Sequence, residues 1–121
     1  MRKTVIIGAT PNPARYAYMA AERLTNHQED FVPVGIKKGE VFGREILDLR
    51  TLPKIEDVDT VTLYINPTNQ QEWEDYILSL KPNRIIFNPG TENPTLAKKA
   101  QTQGVETENA CTLVMLGSGV Y

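Results

Sequence analysis

Short apolar runs rich in β-branched residues alternate along the chain with longer stretches in which apolar residues recur every three or four positions. Runs of the first kind are typical of buried strands, and stretches of the second kind are typical of helices with one buried face. The predicted strands are 3–7, 31–34, 60–65 and 84–87, with weaker candidates at 45–49 and 105–107. The predicted helices are 15–27, 70–80 and 94–103. The segments predicted to lack regular structure are a loop at 37–44 and a loose tail at 117–121.

Strands that alternate with helices predict an α/β fold of three layers, Rossmann-like, in which helices cover both faces of a parallel sheet. Right-handed crossovers leave few topologies, and the favoured strand order is 3-2-1-4-5, with a sixth strand left open. Residues 1–121 form a single domain in this prediction, because domains of about 100–150 residues are the commonest. Ligands of such sheets bind beyond the carboxyl ends of the strands, where the strand order reverses.

The composition is that of a globular protein, with 40% hydrophobic and 23% charged residues. A net charge of -2 supplies no basic footprint for nucleic acid. No apolar run approaches the roughly 20 residues of a membrane span, and the first run is too short for a signal peptide, so we expect a cytoplasmic protein. One cysteine, Cys111, and one histidine, His27, predict no metal site of the cysteine- or histidine-rich kinds.

Asn-Pro pairs occur four times, each in a loop after a predicted strand. Asn is a favoured N-cap and Pro a favoured first helical residue, so three of the pairs are predicted to open the three helices. Helix N-termini also present free N–H groups to an anion, so capping and anion binding are compatible interpretations. The pairs are Asn12-Pro13, Asn66-Pro67, Asn88-Pro89 and Asn93-Pro94, and capping suffices to explain the last of them.

The segment after the first predicted strand, residues 8–13, is called the first loop below. Its sequence is Gly8-Ala9-Thr10-Pro11-Asn12-Pro13, with Thr10 and Pro13 where a dinucleotide fingerprint has its second and third glycines. Gly8 permits a tight turn and Thr10 offers a hydroxyl group to a phosphate. An ordinary strand-to-helix loop and a phosphate site therefore both stay open.

The end of the second predicted strand carries lysines where an NAD site normally has an acidic residue. Gly35 and Ile36 are followed by Lys37 and Lys38, and no acidic residue occurs before Glu40. A lysine pair suits a ribose that carries a phosphate, as in NADP or coenzyme A. The structural alternative is a solvated pair in a loop.

Three further residues have both a structural and a functional interpretation. Cys111 approaches the thiol of a bound pantetheine if the chain returns to the strand ends, but a small, inert, buried residue is the favoured interpretation. Tyr16 could cover an adenine ring or a pantetheine arm from the start of the first helix. His27 is predicted to cap the end of that helix, where a cation favours the helix dipole.

Several short motifs follow one another in a characteristic order along nearly the whole chain. They are 5–13 with Arg15 and Tyr16, 32–34 followed by Lys37, Gly39 and Gly43, Asn66-Pro67, Gly90 after 85–87, and Gly104-Val105 leading to Cys111. In this order they resemble the stand-alone CoA-binding domain family, which is related to the CoA-binding Rossmann domain of succinyl-CoA ligase α subunits. Two positions depart from the family pattern. Gly35-Ile36 stands where Asn-Pro is frequent, and Asn66 where a basic residue is common.

The resemblance implies binding of coenzyme A or an acyl-CoA by the first loop and by the ends of the second and central strands. The candidate cofactor-binding residues are Gly8, Ala9, Thr10, Asn12, Pro13, Arg15, Tyr16, Gly35, Lys37, Lys38, Asn66, Pro67, Asn88, Pro89 and Gly90. NADP is the second-choice cofactor, because the lysine pair alone does not separate it from coenzyme A.

We expect a binding module without catalysis of its own. The only histidine, His27, is predicted at the end of a helix remote from the ligand edge, and 121 residues leave little room for a second domain. An activity that depends on Cys111 stays open. The alternative functions are an NADP-binding oxidoreductase-like protein and a ligand-free regulatory module. The expected partner is a small nucleotide ligand, with a second copy of the chain or a partner enzyme left open.

Overall fold

The computed structural model describes residues 2–121, and its central feature is a parallel sheet of six strands. The strands, including those of a small hairpin outside the sheet, are β1 (Lys3–Ile7), β2 (Asp30–Gly35), β3 (Glu40–Val41), β4 (Arg44–Glu45), β5 (Leu47–Asp48), β6 (Thr60–Leu63), β7 (Arg84–Phe87) and β8 (Glu106–Asn109). The order across the sheet is β5-β2-β1-β6-β7-β8, and β3 pairs with β4 in the hairpin. Without the hairpin this is the predicted order 3-2-1-4-5, extended by the sixth strand, so the predicted fold class is confirmed.

In the described part of the chain, five helices connect or follow the strands. They are α1 (Tyr16–Asn26), α2 (Pro67–Gln70), α3 (Glu74–Ser79), α4 (Pro94–Thr102) and α5 (Thr112–Gly117), with 3-10 turns at Leu49–Thr51 and Gln71–Trp73. Within residues 2–121, none of them is both long and apolar enough to cross a membrane.

Each face of the sheet carries its own apolar cluster. Side chains alternate between the faces of a strand, so Val5 and Ile7 of β1 lie in one cluster while Ile6 lies in the other. The Val5 side packs against α3 and α4, and the Ile6 side packs against α1 and α5. The three layers therefore follow from strands that are apolar on both faces.

The register of the central strands brings three carboxyl ends together. Ile7 of β1 lies opposite Val34 of β2 on one side and opposite Leu63 of β6 on the other. The loops that follow these three strands therefore emerge side by side, and we call this edge of the sheet the carboxyl edge. The strand order reverses there, as the ligand prediction requires.

Several predicted elements differ from those observed. The predicted loop at 37–44 contains most of the hairpin, whose turn places Phe42 and Gly43 at positive φ. The predicted helix at 70–80 begins earlier, at Pro67, and is divided by a 3-10 turn. The residues after Cys111 form α5, which the sequence analysis did not predict.

The prediction of a loose tail at 117–121 is also wrong for the last residue of the chain. Tyr121 is buried against the sheet, and its hydroxyl group shares a hydrogen bond with that of Thr4. The guanidinium groups of Arg84 and Arg2 lie 4.6 Å and 5.2 Å from the centre of its ring. An aromatic ring that buries apolar area and attracts two cations fixes the end of the chain against the sheet.

The first loop packs tightly against the end of β2. The N–H groups of Gly8 and Ala9 both donate to the carbonyl oxygen of Val34, at 2.9 Å and 3.0 Å. A Cβ atom added to Gly35 would lie 2.6 Å from the carbonyl oxygen of Ala9, which is closer than such atoms approach. Gly35 is therefore a glycine because two backbone segments meet there.

We predict that Gly35→Ala destabilises the fold by about 1–3 kcal/mol, the usual cost of overpacking, because the first loop must move away from β2. Gly117→Ala is the matched control, since a Cβ there meets nothing within 4 Å. Urea unfolding followed by circular dichroism measures both. Equal stability of Gly35→Ala and the wild type would contradict the close approach.

Candidate functional site

The first loop lies in the middle of the carboxyl edge. On one side it contacts β2 through Gly35, and on the other Gly8 faces the backbone of Tyr64, 3.1 Å from a Cβ placed on the glycine. Gly8 has a φ of 101°, a conformation that favours glycine. Its neighbours and its backbone angle both keep this position free of a side chain, so the first loop passes close to the ends of β2 and β6.

Successive turns carry the chain from the first loop into α1. The side chain of Asn12 accepts a hydrogen bond from Ala14 N–H at 3.0 Å, and the hydroxyl of Thr10 accepts one from Asn12 N–H at 3.2 Å. The N-cap of α1 is Arg15, which makes no capping hydrogen bond through its side chain. Asn12-Pro13 therefore does not open this helix, contrary to the capping prediction, because a turn separates the pair from Tyr16.

A groove of about 500 Å³ lies on the β2 side of the first loop, between the ends of β2 and β5. It adjoins the first loop because Gly39 faces the ring of Pro11, with 3.2 Å between an added Cβ and the ring. We call it the lysine groove, and it is lined by Gly35, Ile36, Lys37, Lys38, Gly39, Glu40, Glu45, Ile46, Asp48 and Arg50.

The lysine groove contains charges of both signs. Asp48 and Arg50 form an ion pair in which Nε and Nη2 of Arg50 donate to the carboxylate at 3.0 Å and 3.2 Å. This pairing lowers the pKa of Asp48 and raises the pKa of Arg50. Lys37 and Lys38 are exposed and make no ion pair with any residue from 2 to 121. They are therefore the cations of the groove most open to an incoming anion.

The loop after β6 begins a helix as predicted. The side chain of Asn66 accepts a hydrogen bond from Asn69 N–H at 2.8 Å, and Pro67 is the first residue of α2. Gln70, which is fully buried, donates to the carbonyl oxygens of Ile65 and Thr91. The loops after β6 and β7 are therefore tied together beneath the carboxyl edge.

The loop after β7 uses its asparagine inside the protein. The side-chain NH2 of Asn88 donates to the hydroxyl of Thr62 and to Leu63 O, and its oxygen accepts from Thr112 N–H. Asn88 is buried, whereas Pro89 and Gly90 are exposed. These bonds give Asn88 a structural role that connects β6, β7 and α5. A ligand role for this loop stays a prediction.

Cys111 precedes α5 and is partly buried as a free thiol. Nearby, the hydroxyl of Tyr64 is buried and has no hydrogen-bond partner among residues 2–121, and burial raises the pKa of Tyr64 to about 12. This tyrosine stays protonated at neutral pH.

The structure brings one group of predicted site residues together. Asn88, Pro89 and Gly90 lie apart from it, because they follow β7, two strands away from β1. The first loop, Gly35 and the lysine pair adjoin one another, and Asn66-Pro67 follows the next strand along the edge. Asp48 and Arg50 were not among the predicted site residues. The weak strand predicted at 45–49 offered a signal, since its end had to reach the same edge.

The fold and the site define a Rossmann-like α/β domain with an open, mixed-charge groove at the carboxyl edge. Residues 2–117 match the CoA binding domain family, and the chain belongs to that family. None of the curated proteins compared with the chain matches it.

Solved structures share the fold over nearly the whole chain. A crystal structure of an uncharacterised protein is 59% identical, with a TM-score of 0.95, and the match covers 100% of this chain and 98% of the other. A protein redesigned for binding, called Prb, is 24% identical with a TM-score of 0.86, and the match covers 98% of this chain and 83% of Prb. A hypothetical protein from Pyrococcus horikoshii is 26% identical with a TM-score of 0.82, and the match covers 97% of this chain and 82% of the other.

We predict that Asn88→Ala destabilises the fold by about 2–4 kcal/mol, because it removes three buried hydrogen bonds, to Thr62, Leu63 and the N–H of Thr112. Asn12→Ala is the control, since Asn12 is exposed and loses one turn hydrogen bond, and its cost should stay below about 1 kcal/mol. Thermal and urea unfolding measure both variants. A smaller loss of unfolding free energy in Asn88→Ala than in Asn12→Ala would refute the structural role of Asn88.

Proposed function

We propose that this chain binds coenzyme A or an acyl-CoA along the carboxyl edge and catalyses no reaction by itself. In this proposal the first loop and the N-terminus of α1 receive the pyrophosphate. Lys37 and Lys38 receive the phosphate on the ribose, and the pantetheine arm runs towards Asn66-Pro67. Membership of the CoA binding domain family supports this ligand class over NADP.

The observation that carries the proposal is the position of the lysine groove beside the first loop. A coenzyme A molecule has a pyrophosphate and a ribose phosphate joined through one sugar, so its two anionic groups need two adjacent cationic or amide-rich sites. Gly39 faces Pro11 across the boundary between the two sites. Two lysines without ion pairs to the described residues line the second site.

The N-terminus of α1 supports the pyrophosphate assignment. The helix has 11 residues, and its first turn lacks the side-chain cap that Asn66 and Asn93 give to α2 and α4. Uncapped N–H groups at the positive end of a helix dipole attract a phosphate. The glycines at positions 8 and 35 let the first loop pass close to the ends of β6 and β2, so the segment that leads into α1 lies at the carboxyl edge.

We predict that the wild type binds coenzyme A more tightly than 3′-dephospho-CoA, by about 10-fold, and that Lys37→Ala/Lys38→Ala loses this preference. A lysine pair that meets a phosphate dianion in a partly exposed contact accounts for a difference of about 1–2 kcal/mol. Isothermal titration calorimetry at two salt concentrations measures the four affinities.

Lys54→Ala/Lys98→Ala is the matched control, since it also removes two exposed lysines but neither lines the groove. It should retain the preference. Equal affinity of the wild type for the two ligands would contradict the assignment of the ribose phosphate to Lys37 and Lys38. Absence of binding of either ligand would contradict the proposed function. Turnover of an acyl-CoA ester that depends on Cys111 would refute the absence of catalysis.

A further inference from the structure

A feature of the lysine groove that the proposed function leaves unexplained is the carboxylate of Asp48. A groove that held only a phosphate would gain nothing from an acidic residue on its wall. Asp48 nevertheless lines the groove together with Lys37 and Lys38. Glu40 and Glu45 line it too, but among residues 2–121 Asp48 is the one of the three that an ion pair holds in place. The Arg50 guanidinium and, to a smaller extent, the charge of Lys38 lower the pKa of Asp48. The carboxylate is therefore ionised at neutral pH and shares the groove with the lysine pair.

The local fold uses only part of the hydrogen-bonding capacity of Asp48. Its Oδ1 accepts from the N–H and the Nε of Arg50, both at 3.0 Å, and so caps the 3-10 turn that begins at Leu49. Among the residues that the structure describes, its Oδ2 accepts only from Nη2 of Arg50, at 3.2 Å. A carboxylate oxygen has two lone pairs, so Oδ2 can accept one more hydrogen bond. The side chain is 42% exposed, which leaves that position reachable from the groove.

A fixed acceptor beside a pair of cations matches a sugar that carries a hydroxyl next to a phosphate. The ribose of coenzyme A has this pattern, with a phosphate on one carbon and a free 2′-hydroxyl on the next. A hydroxyl donates to a carboxylate, whereas a phosphate is repelled by it. The bidentate pairing with Arg50 holds the carboxylate plane, so the acceptor is oriented before a ligand arrives.

We propose that Asp48 is a specificity-determining residue that accepts a hydrogen bond from the free ribose hydroxyl beside the phosphate held by Lys37 and Lys38. This inference rests on the proposed function, because it concerns the same groove. It adds that the groove selects a ribose with one phosphate and one adjacent hydroxyl.

The test compares coenzyme A with 2′-deoxy-coenzyme A, which differs by the one hydroxyl. The wild type should bind coenzyme A about 5–10-fold more tightly, as expected for a partly exposed hydrogen bond to a charged acceptor. Asp48→Asn keeps an oxygen for the cap but loses the charge. It should bind 2′-deoxy-coenzyme A more tightly than the wild type does, because the repulsion of the phosphate is gone, and its preference for coenzyme A should fall to about 2-fold or less.

Asp75→Asn is the charge-matched control, since Asp75 is exposed on α3 and does not line the groove. It should retain the full preference. Asp48→Ser, which also keeps a capping oxygen, provides a second variant if Asp48→Asn folds poorly. A general structural role of Asp48 would lower both affinities together, whereas the proposal requires the preference itself to collapse.

The outcomes separate the two claims. Absence of coenzyme A binding by the wild type would overturn the proposed function and this inference with it. Binding of both ligands with equal affinity would overturn the inference alone, as would a preference that survives in both Asp48→Asn and Asp48→Ser.

Discussion

The carboxyl edge depends on one contact between backbones, where the first loop crosses the end of β2. The carbonyl oxygen of Val34 accepts two N–H groups from the first loop, and Gly35 leaves room for the carbonyl of Ala9. A side chain at either Gly8 or Gly35 would separate the first loop from one of its neighbouring strands. The first loop, where we propose the pyrophosphate binds, adjoins the lysine groove because this contact holds the loop against β2.

Two kinds of polar group surround that contact, and they act differently. Gln70 and Asn88 are buried and tie neighbouring loops together, so their hydrogen bonds stabilise the edge itself. Lys37, Lys38 and the free lone pair of Asp48 remain open to a ligand. Residue type does not distinguish these roles, since asparagines occur in both the buried network and the exposed first loop. Burial and the number of internal partners distinguish them.

Much of the fold could be predicted because the strands are apolar on both faces and separated by helical stretches. β1 was predicted at its observed bounds, and the strand order followed from the handedness of crossovers. The hairpin and α5 were missed because each is short and its stability comes from packing. Phe42 contacts Tyr18 of α1, with ring centres 5.0 Å apart, and Met115 of α5 packs against the same face of the sheet. Contacts of this kind leave no periodic pattern in the sequence.

The candidate site was predictable where a single segment carries it and not where two segments meet. The first loop and the lysine pair follow strands directly, so the fold class was enough to assign them to the edge. The ion pair of Asp48 and Arg50 enters the groove only through the pairing of β2 with β5, in which Gly35 lies opposite Asp48. A two-residue strand gives too weak a pattern to predict that register.

The central claim is that coenzyme A lies across the first loop and the lysine groove. Amide chemical shifts of the 15N-labelled protein, recorded during titration with coenzyme A, test it residue by residue. The account predicts the largest changes at residues 9–17 and 36–39, and none at Asp57 or Asn83 on the opposite edge of the sheet. Unchanged spectra at millimolar coenzyme A, or changes centred on that opposite edge, would contradict it.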